Sequence, residues 1–518
     1  MALKSTGGIK LPKTKNTSGI DIILYDCPSE VSLSLPEDCE PLVAEGDLVA
    51  RYSPVARDEQ GFTVAASVSG EVISVASDAI VIKNDMSQNA AMPDEDKPRS
   101  ASSMDFDALC EYCRRYGIRG AFSGEPLYKK LCDAYGNCQR IIINCVECDP
   151  FSGHVRALIR QHAREIVLGA KILMIGMGVK KCIFALGDSM REAQNALKYY
   201  LTSDSGMVFA QISEKYPVGN EYILLNAIYG KEFARSVSTA SAGFPVFSAE
   251  TVYELFESFV SGLPSIYKTF TVSGKTFASE KNVRAPIGSR VGDIIDFIGT
   301  NGKSESSFAI GGPLNGRRTD RENYLPQNAN MLFSFYDRQY SPASCIRCSR
   351  CASFCPMNLV PFVFYENDGD SSYESSVRSG LYNCIECGIC NYMCVSRIDL
   401  LGIIRSQKGA SQAAMTASES NDGKQPSETP SADDENEHQS VCESEESVGE
   451  TTDAESESKT VSPEEVIPED TQNAQIADET IKQDEDLNVV PQEEDEISAE
   501  DAPEMCETEE EVTENGSI

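Results

Sequence analysis

Eight of the chain's 19 cysteines fall in two short runs, "SCIRCSRCASFCP" (344–356) and "NCIECGICNYMC" (383–394). Each run has the spacing C-x2-C-x2-C-x3-C: Cys345, Cys348, Cys351 and Cys355, then Cys384, Cys387, Cys390 and Cys394. Three thiolates this close together on one tight loop suit three corners of a cubane, and in two-cluster folds the fourth cysteine ligates the other cluster. The spacing therefore predicts two 4Fe-4S clusters with crossed ligation. Cys345, Cys348, Cys351 and Cys394 would hold one, and Cys384, Cys387, Cys390 and Cys355 the other. Pro356 follows the first run but Val395 stands at that place in the second, so a different backbone is expected near Cys394. Zinc is the rival ligand. It usually takes two C-x2-C pairs across a longer loop, a pattern that a third cysteine at the same spacing fits poorly.

Two further C-x2-C pairs, Cys110/Cys113 and Cys145/Cys148, could make a zinc or redox site on spacing alone. The first pair lies in "FDALCEYCRRYG", which reads as helix, and the second ends a strand, so ordinary buried or half-buried thiols are the expectation. His154 and His162 stand near Arg156, Arg160 and Arg164 and read as an exposed helix face; His438 lies near the C-terminus. No Ser/His/Asp constellation supports hydrolytic chemistry.

The opening "MALKSTGGIKLPK" has no apolar core of a signal peptide, which places the chain in the cytosol as an expectation and disfavours disulfides. The apolar stretch "EIVLGAKILMIGMGV" (165–179) is too short for a bilayer and carries Lys171. The net charge of −36 is concentrated in residues 411–518, which hold about 35 acidic groups against three lysines. That segment, rich in Glu, Ser, Asp and Thr, reads as a disordered acidic tail, and nucleic acid is excluded as a partner by charge.

The remaining chain must position the cysteines. Residues 1–90 include short β-like runs, "EPLVAEGDLVARYSPVAR" and "FTVAASVSGEVISVAS", with Gly46-Asp47 and Ser69-Gly70 as turns. They resemble the barrel-sandwich domain of lipoyl and biotinyl carriers, without the lysine such carriers display, so a structural domain is expected. "MSQNAAMPDEDKPRS" (86–100) reads as a boundary of low order. Residues 104–265 alternate strand and helix ("RIIINCVECDP", "HVRALIRQHAREIVLGAKILMIG", "KKCIFALGD", "SMREAQNALKYYL"), which predicts a parallel α/β sheet with its ligand at the strand carboxyl ends, near Asn144 to Asp149. Residues 266–335 read as a small β-grasp module, 341–408 as the two-cluster domain and 411–518 as the tail. The fold class is therefore multidomain α/β and α+β.

In this order, with "GGIKLPKTK", "IINCVECDPF" and "AIGGPLNG" (309–316), the parts closely resemble the C subunit of Rnf-type ion-translocating electron-transport complexes over residues 7–408. The A subunit of sodium-translocating NADH:quinone reductase shares the early layout but lacks the two clusters. The resemblance implies a peripheral protein on the cytoplasmic face of a bacterial inner membrane, part of a translocase-type oxidoreductase. It would pass electrons between NADH or ferredoxin and the membrane subunits of the complex while Na+ or H+ is moved, touching the membrane surface only indirectly.

The α/β domain is similar to the flavin- and NADH-binding subunit of complex I, which implies FMN as a cofactor and NADH as a substrate. In those relatives a "GGAGFPT"-like loop brings backbone amides to the flavin phosphate. The corresponding "YGIRGAFSGEPLYKKL" (116–131) keeps Gly117, Gly120, Gly124, Pro126 and Lys130 and carries Glu125, whose carboxylate would repel a phosphate. Asn144, Glu147 and Asp149 match the downstream part and are implied contacts of a flavin ring or ribose. A free-standing soluble iron–sulfur or flavin oxidoreductase is the alternative, separated by whether the chain sediments with membranes. A zinc-stabilised interaction protein would be colourless and free of acid-labile sulfide.

Overall fold

In the computed structural model, residues 2–422 are described except for 13–15, 95–99, 204, 303–305, 338–340 and 370–372, without the side chains of 103 and 414–422. Strand β1 (Ile141–Asn144) is buried at every position, as is β2 (Cys182–Gly187), the pattern of parallel strands covered on both faces. Helix α1 (His154–Gly176) joins them, α2 (Arg191–Tyr199) leads on to β3 (Met207–Ile212), and α3 (Glu221–Tyr229) precedes β4 (Val246–Ser248) and α4 (Ala249–Ser261). All pairings are parallel and the spatial order is β3-β2-β1-β4. The chain thus steps outward from β1 to β3 and returns to the other side of β1. That reversal opens a crevice at the carboxyl ends of β1 and β4, the place where such sheets take ligands. Helices α1 and α4 cover one face at close quarters: a β-carbon on Gly169 would lie 2.2 Å from the Val252 carbonyl oxygen.

The barrel-sandwich is built from a four-stranded and a three-stranded antiparallel sheet. Its repeated turn motifs lie side by side, Leu48 opposite Glu71 and Val49 opposite Gly70. Gly70 is needed there, since a β-carbon would meet the Lys83 carbonyl oxygen at 1.9 Å. The apolar interior of the barrel, with Val31, Phe62 and Ile80, is continuous with that of the α/β domain through Leu109, Leu131 and Ile166. The two therefore pack as one body. In the stretch read as low in order, Arg51 and residues 89–91 exchange backbone hydrogen bonds of 2.8 Å, while 95–99 lie outside the described residues.

The β-grasp sheet has six strands, and its helix Val291–Ile298 buries Val291, Ile294 and Ile295 against Phe270, Val283 and Leu332. One edge strand comes from elsewhere. Ile22–Leu24 pairs in parallel with Asn282–Arg284, so the first ninety residues are not a single unit in space. Leu3 and Ile9 likewise bridge to Ile212 and Tyr216 of the α/β domain.

The cysteine-rich region folds as short helices, among them Arg350–Ser353 and Ile389–Met393, around a small core of Phe364, Leu381, Ile398 and Ile404. The final helix runs Leu400–Asp422, past the expected start of the tail at 411. Ser411 is buried and its hydroxyl lies 2.8 Å from that of Tyr382, which fixes the helix against the domain. Residues 423–518, most of the segment read as disordered, lie outside the described residues. Among the described residues no helix is long and apolar enough to cross a membrane.

Candidate functional site

A cavity of about 970 Å³ occupies the crevice beyond β1 and β4. Its walls include Gly120 to Ser123, Asn144, Glu147 to Asp149, Tyr216, Phe247 and the 310–330 region of the β-grasp, and on one side Ile385 and Cys387. This volume is at the upper end for small-molecule sites, and the mixture of apolar and aromatic wall with a few polar groups suits a nucleotide.

Of the residues implied for a flavin site, Gly120, Lys130, Asn144, Glu147 and Asp149 line this cavity, whereas Gly124 borders a separate hollow. The Asn144 amide donates to the Gly219 carbonyl at 2.8 Å, and its oxygen accepts the Val146 N–H at 3.0 Å. Glu147 Oε1 accepts from the Ser152 hydroxyl at 3.2 Å and the Val155 N–H at 3.1 Å, so this carboxylate caps the first turn of α1. Arg156 stands 3.9 Å from its other oxygen. Asp149 accepts the Phe151 N–H at 3.2 Å and reaches across to Gly312. Lys130 lines the cavity and pairs with Glu221 at 2.7 Å.

The altered glycine loop closes on itself: Gly120 N–H donates to the Glu125 carbonyl at 2.9 Å and Gly124 N–H to the Gly120 carbonyl at 2.8 Å. Gly117 and Gly124 have φ of 62° and 77°, which glycine adopts without strain. The expected repulsion from Glu125 does not reach the cavity. Its side chain is exposed and borders a separate hollow of about 210 Å³ beside Arg119 and Pro326. Beneath the loop a buried Lys268 donates to the Ala121 carbonyl at 3.0 Å and to Glu250 at 2.6 Å, a support that no sequence motif marks.

The histidine expectation was wrong. His154 is buried at the start of α1, lines the cavity, and has its Nδ1 3.1 Å from the Ser152 hydroxyl and 3.2 Å from that of Thr271. His162 is half-buried, sits at a kink in α1 and packs on the Tyr253 ring with centroids 4.6 Å apart. The aliphatic residues between the arginines turn the helix face inward, a distinction the charge pattern alone hides.

The other C-x2-C cysteines separate. Cys110 and Cys113 are buried on the helix Phe106–Arg115, Cys145 is buried beside Cys182, and Cys148 is half-buried on the cavity wall, accepting the Gly219 N–H at 3.3 Å. Burial pushes the Cys110 thiol up to about 12, so it stays protonated at neutral pH.

The two cluster runs share one backbone conformation. Left-handed residues stand at equivalent places, Arg347, Ser349 and Asn358 in the first and Glu386, Gly388 and Arg397 in the second. Backbone N–H groups aim at sulfur in the same pattern: Arg347 to Cys345, Leu359 to Cys355, Glu386 to Cys384 and Ile398 to Cys394, each at 3.4 Å. The replacement of proline by Val395 therefore leaves the backbone unchanged, contrary to expectation. Val395 is exposed, whereas Pro356 is pressed against Gly7.

The structure also brings the fourth cysteines across. Cys355 is within electrostatic reach of Cys384, Cys387 and Cys390. At the other end, the Ala343 N–H donates to the Ser396 carbonyl and the Ser396 hydroxyl to the Ser344 carbonyl, both at 3.0 Å, which lays Cys394 beside the start of the first run. Among the described residues, no group of three or more His, Cys, Asp or Glu is gathered closely enough to hold a single ion. Aligned N–H donors and spaced thiols fit cubane clusters instead.

The two groups differ in setting. Burial pushes the Cys387 thiol up to about 12 and raises Cys355 and Cys384 as well; in the other group Cys351 is also buried and raised, and the contrast lies at Cys348, which is exposed. Arg235 and Lys408 each donate to the Cys384 carbonyl at 2.7 Å. These two cations were not foreseen, because neither lies within a cysteine run.

Comparison with known proteins follows the same layout. Residues 3–96 match the family model described as the RnfC barrel sandwich hybrid domain, 113–257 the Nuo51 FMN-binding domain and 344–398 the 4Fe-4S dicluster domain. The N-terminal part of the chain is thus similar to the RnfC family. Among curated relatives, the C subunit of the ion-translocating oxidoreductase complex of Buchnera aphidicola (subsp. Acyrthosiphon pisum) is 25% identical over 58% of this chain and 65% of its own length. The C subunit of the Na(+)-translocating ferredoxin:NAD(+) oxidoreductase complex of Acetobacterium woodii is 28% identical over 68% of this chain and 85% of its own. The chain thus spans just under two thirds of the first relative. A solved NAD+-reducing nickel–iron hydrogenase in the H2-reduced state is 17% identical, with a TM-score of 0.43 over 64% of this chain and 70% of that one. The cavity lies within the FMN-domain match and its neighbours, and Cys387 belongs to the dicluster match.

Proposed function

We propose that the chain is the peripheral electron-transfer subunit of a membrane-bound, ion-translocating oxidoreductase complex of the Rnf type. It would work on the cytoplasmic face of the inner membrane, with NADH or ferredoxin as the soluble electron donor and the membrane subunits as its partners. The observation that carries this reading is that Cys387, in the second cysteine run, forms part of the wall of the nucleotide-sized cavity.

FMN would sit in the cavity, with Asn144, Glu147, Asp149, Gly120 and Lys130 shaping its surroundings. Cys384, Cys387, Cys390 and Cys355 would hold the more buried 4Fe-4S cluster, and Cys345, Cys348, Cys351 and Cys394 the one that includes the exposed Cys348. A bound flavin supplies the conversion of a hydride's electron pair into single-electron steps. The chain's own residues do the rest. Arg235 and Lys408 place positive charge beside Cys384, which favours the reduced form of whatever cluster is held there. Cys348, exposed at the far side, marks the end from which electrons would leave for a partner.

The test is anaerobic purification with iron, acid-labile sulfide and flavin measured on one sample. About eight iron and eight sulfide with one flavin per chain is the expected result. The same iron without flavin would reduce the chain to a bare cluster relay, and zinc without sulfide would overturn the reading.

A further inference from the structure

The N-terminal "GGI" has no place in the flavin or cluster chemistry, yet its two glycines stand at one of the tightest seams in the molecule. Gly7, with φ of 57°, lies against the run that holds Cys355: a β-carbon there would be 2.6 Å from the Pro356 Cα and 2.8 Å from the Cys355 carbonyl oxygen. Gly8, with φ of 74°, lies against the α/β domain, where a β-carbon would be 2.5 Å from the Tyr216 carbonyl oxygen. Three backbone bonds lock the strap in place. Gly8 N–H donates to the Phe354 carbonyl at 3.2 Å, and Ile9 and Tyr216 exchange a pair at 2.9 Å.

Tyr216 therefore cannot drift from the cluster domain, and its side chain uses that position. The ring is buried and lines the cavity, and the hydroxyl donates to the Cys387 carbonyl at 2.7 Å. Ile9, Tyr216 and Ile389 form one apolar cluster with Cys148, Phe354 and Cys387 packed against it. Arg235, also on the cavity wall, reaches the same loop at the Cys384 carbonyl, whereas Tyr216 bonds Cys387 itself.

We infer that Tyr216, held by the Gly7–Gly8 strap, is a positioning residue that fixes the Cys387 loop against the cavity and, through its hydroxyl, raises the reduction potential of the buried cluster relative to the exposed one. The O–H dipole points its positive end at a ligand loop, where it stabilises the added electron; hydrogen bonding near the sulfurs is a recognised lever on such potentials. The inference rests on the cluster reading above.

The experiment is a redox titration of the anaerobically purified full chain, followed by electron paramagnetic resonance, for wild type, Tyr216→Phe and Gly8→Ala. Cys390→Ala identifies which signal belongs to the buried cluster. Tyr216→Phe keeps the ring and should keep iron and sulfide at the wild-type level. Its buried cluster should titrate at a lower potential while the other is unmoved. Gly8→Ala, which leaves the hydroxyl in place but displaces the Tyr216 backbone, should move the same cluster in the same direction. Both signals titrating as in wild type would overturn the role of Tyr216. A parallel shift of both clusters would also overturn it, because a general loosening of the fold has no reason to single out one. A wild-type chain without iron and sulfide would instead sink the cluster reading, and this role with it.

Discussion

Gly312 and Asp149 meet beside the cavity so closely that a β-carbon on Gly312 would lie 1.9 Å from Asp149 Oδ2. One belongs to the "AIGGPLNG" stretch that follows the β-grasp strand Ser306–Ile310 and the other to the loop after β1, so their contact joins two domains at the site. Asp149 has little room to yield, being buried and already bonded to the Phe151 N–H. Gly312→Ala is expected to lower flavin affinity by about tenfold, roughly 1.4 kcal/mol. Iron per chain should not change. Flavin titration of the purified variant checks this, and wild-type affinity would remove Asp149 from the binding surface.

The crossed arrangement of the fourth cysteines gives a pairing test. Cys355→Ala should abolish the same paramagnetic signal as Cys387→Ala, although Cys355 belongs to the other run. Cys394→Ala should abolish the signal that Cys348→Ala abolishes. In each case iron should fall by about half, since each thiolate completes one of two cubanes. If Cys355→Ala and Cys348→Ala silence the same signal, ligation is uncrossed.

His162 supplies a pH dependence with a defined sign. Burial, the largest influence, lowers its pKa below the ordinary value, and Arg284 adds to this while Glu165 and Glu257 oppose it. The unfolded chain therefore takes up the proton first as pH falls. Stability from the neutral ring is complete above the ordinary histidine pKa of about 6.5 and drains away as pH drops through it toward the folded value. Between about pH 7.5 and about 5.5, the Tm of wild type should fall further than that of His162→Phe. Equal falls in thermal melts would show that His162 does not titrate differently on folding.

Local patterns carried the reading furthest where the chemistry is itself local. Cysteine spacing implies two alike loops, and the left-handed residues do recur at matching places, Arg347 with Glu386 and Ser349 with Gly388. The uninterrupted apolar runs of β1 and β2 announce a parallel sheet, and Asn144 to Asp149 do line a cavity at its carboxyl end. What stayed hidden depends on distant segments. Ile22–Leu24 is a short apolar run whose sequence does not name its partner, and it becomes an edge strand of the β-grasp because Lys281–Pro286 offers an open side. His154 looks solvated beside its arginines, but Thr271, 117 residues away, closes over it. Glu125 would repel a phosphate if it faced inward, and the turn at Gly124 points it outward instead. Charge in a sequence gives the strength of such an effect but not its direction in space.

Lys268 and Glu250 form an ion pair at 2.6 Å with side chains only 2% and 3% exposed, directly under the glycine loop. Removing one member leaves the other charged and unpartnered in the interior, which costs about 3–5 kcal/mol. Lys268→Met should therefore melt well below wild type and, having lost the donor to the Ala121 carbonyl, bind flavin more weakly as well. In Lys268→Met/Glu250→Leu no buried charge remains. The lasting deficit is then the Thr269 N–H that Glu250 accepted at 2.7 Å together with the Ala121 carbonyl, about 1–3 kcal/mol for each group left unpaired. The double variant should accordingly be no less stable than Lys268→Met, despite carrying one more substitution, while flavin affinity stays low in both. Denaturant unfolding of the single and double variants reads this directly. Additive losses would mean that the two residues act independently and that the loop is held by its own backbone bonds.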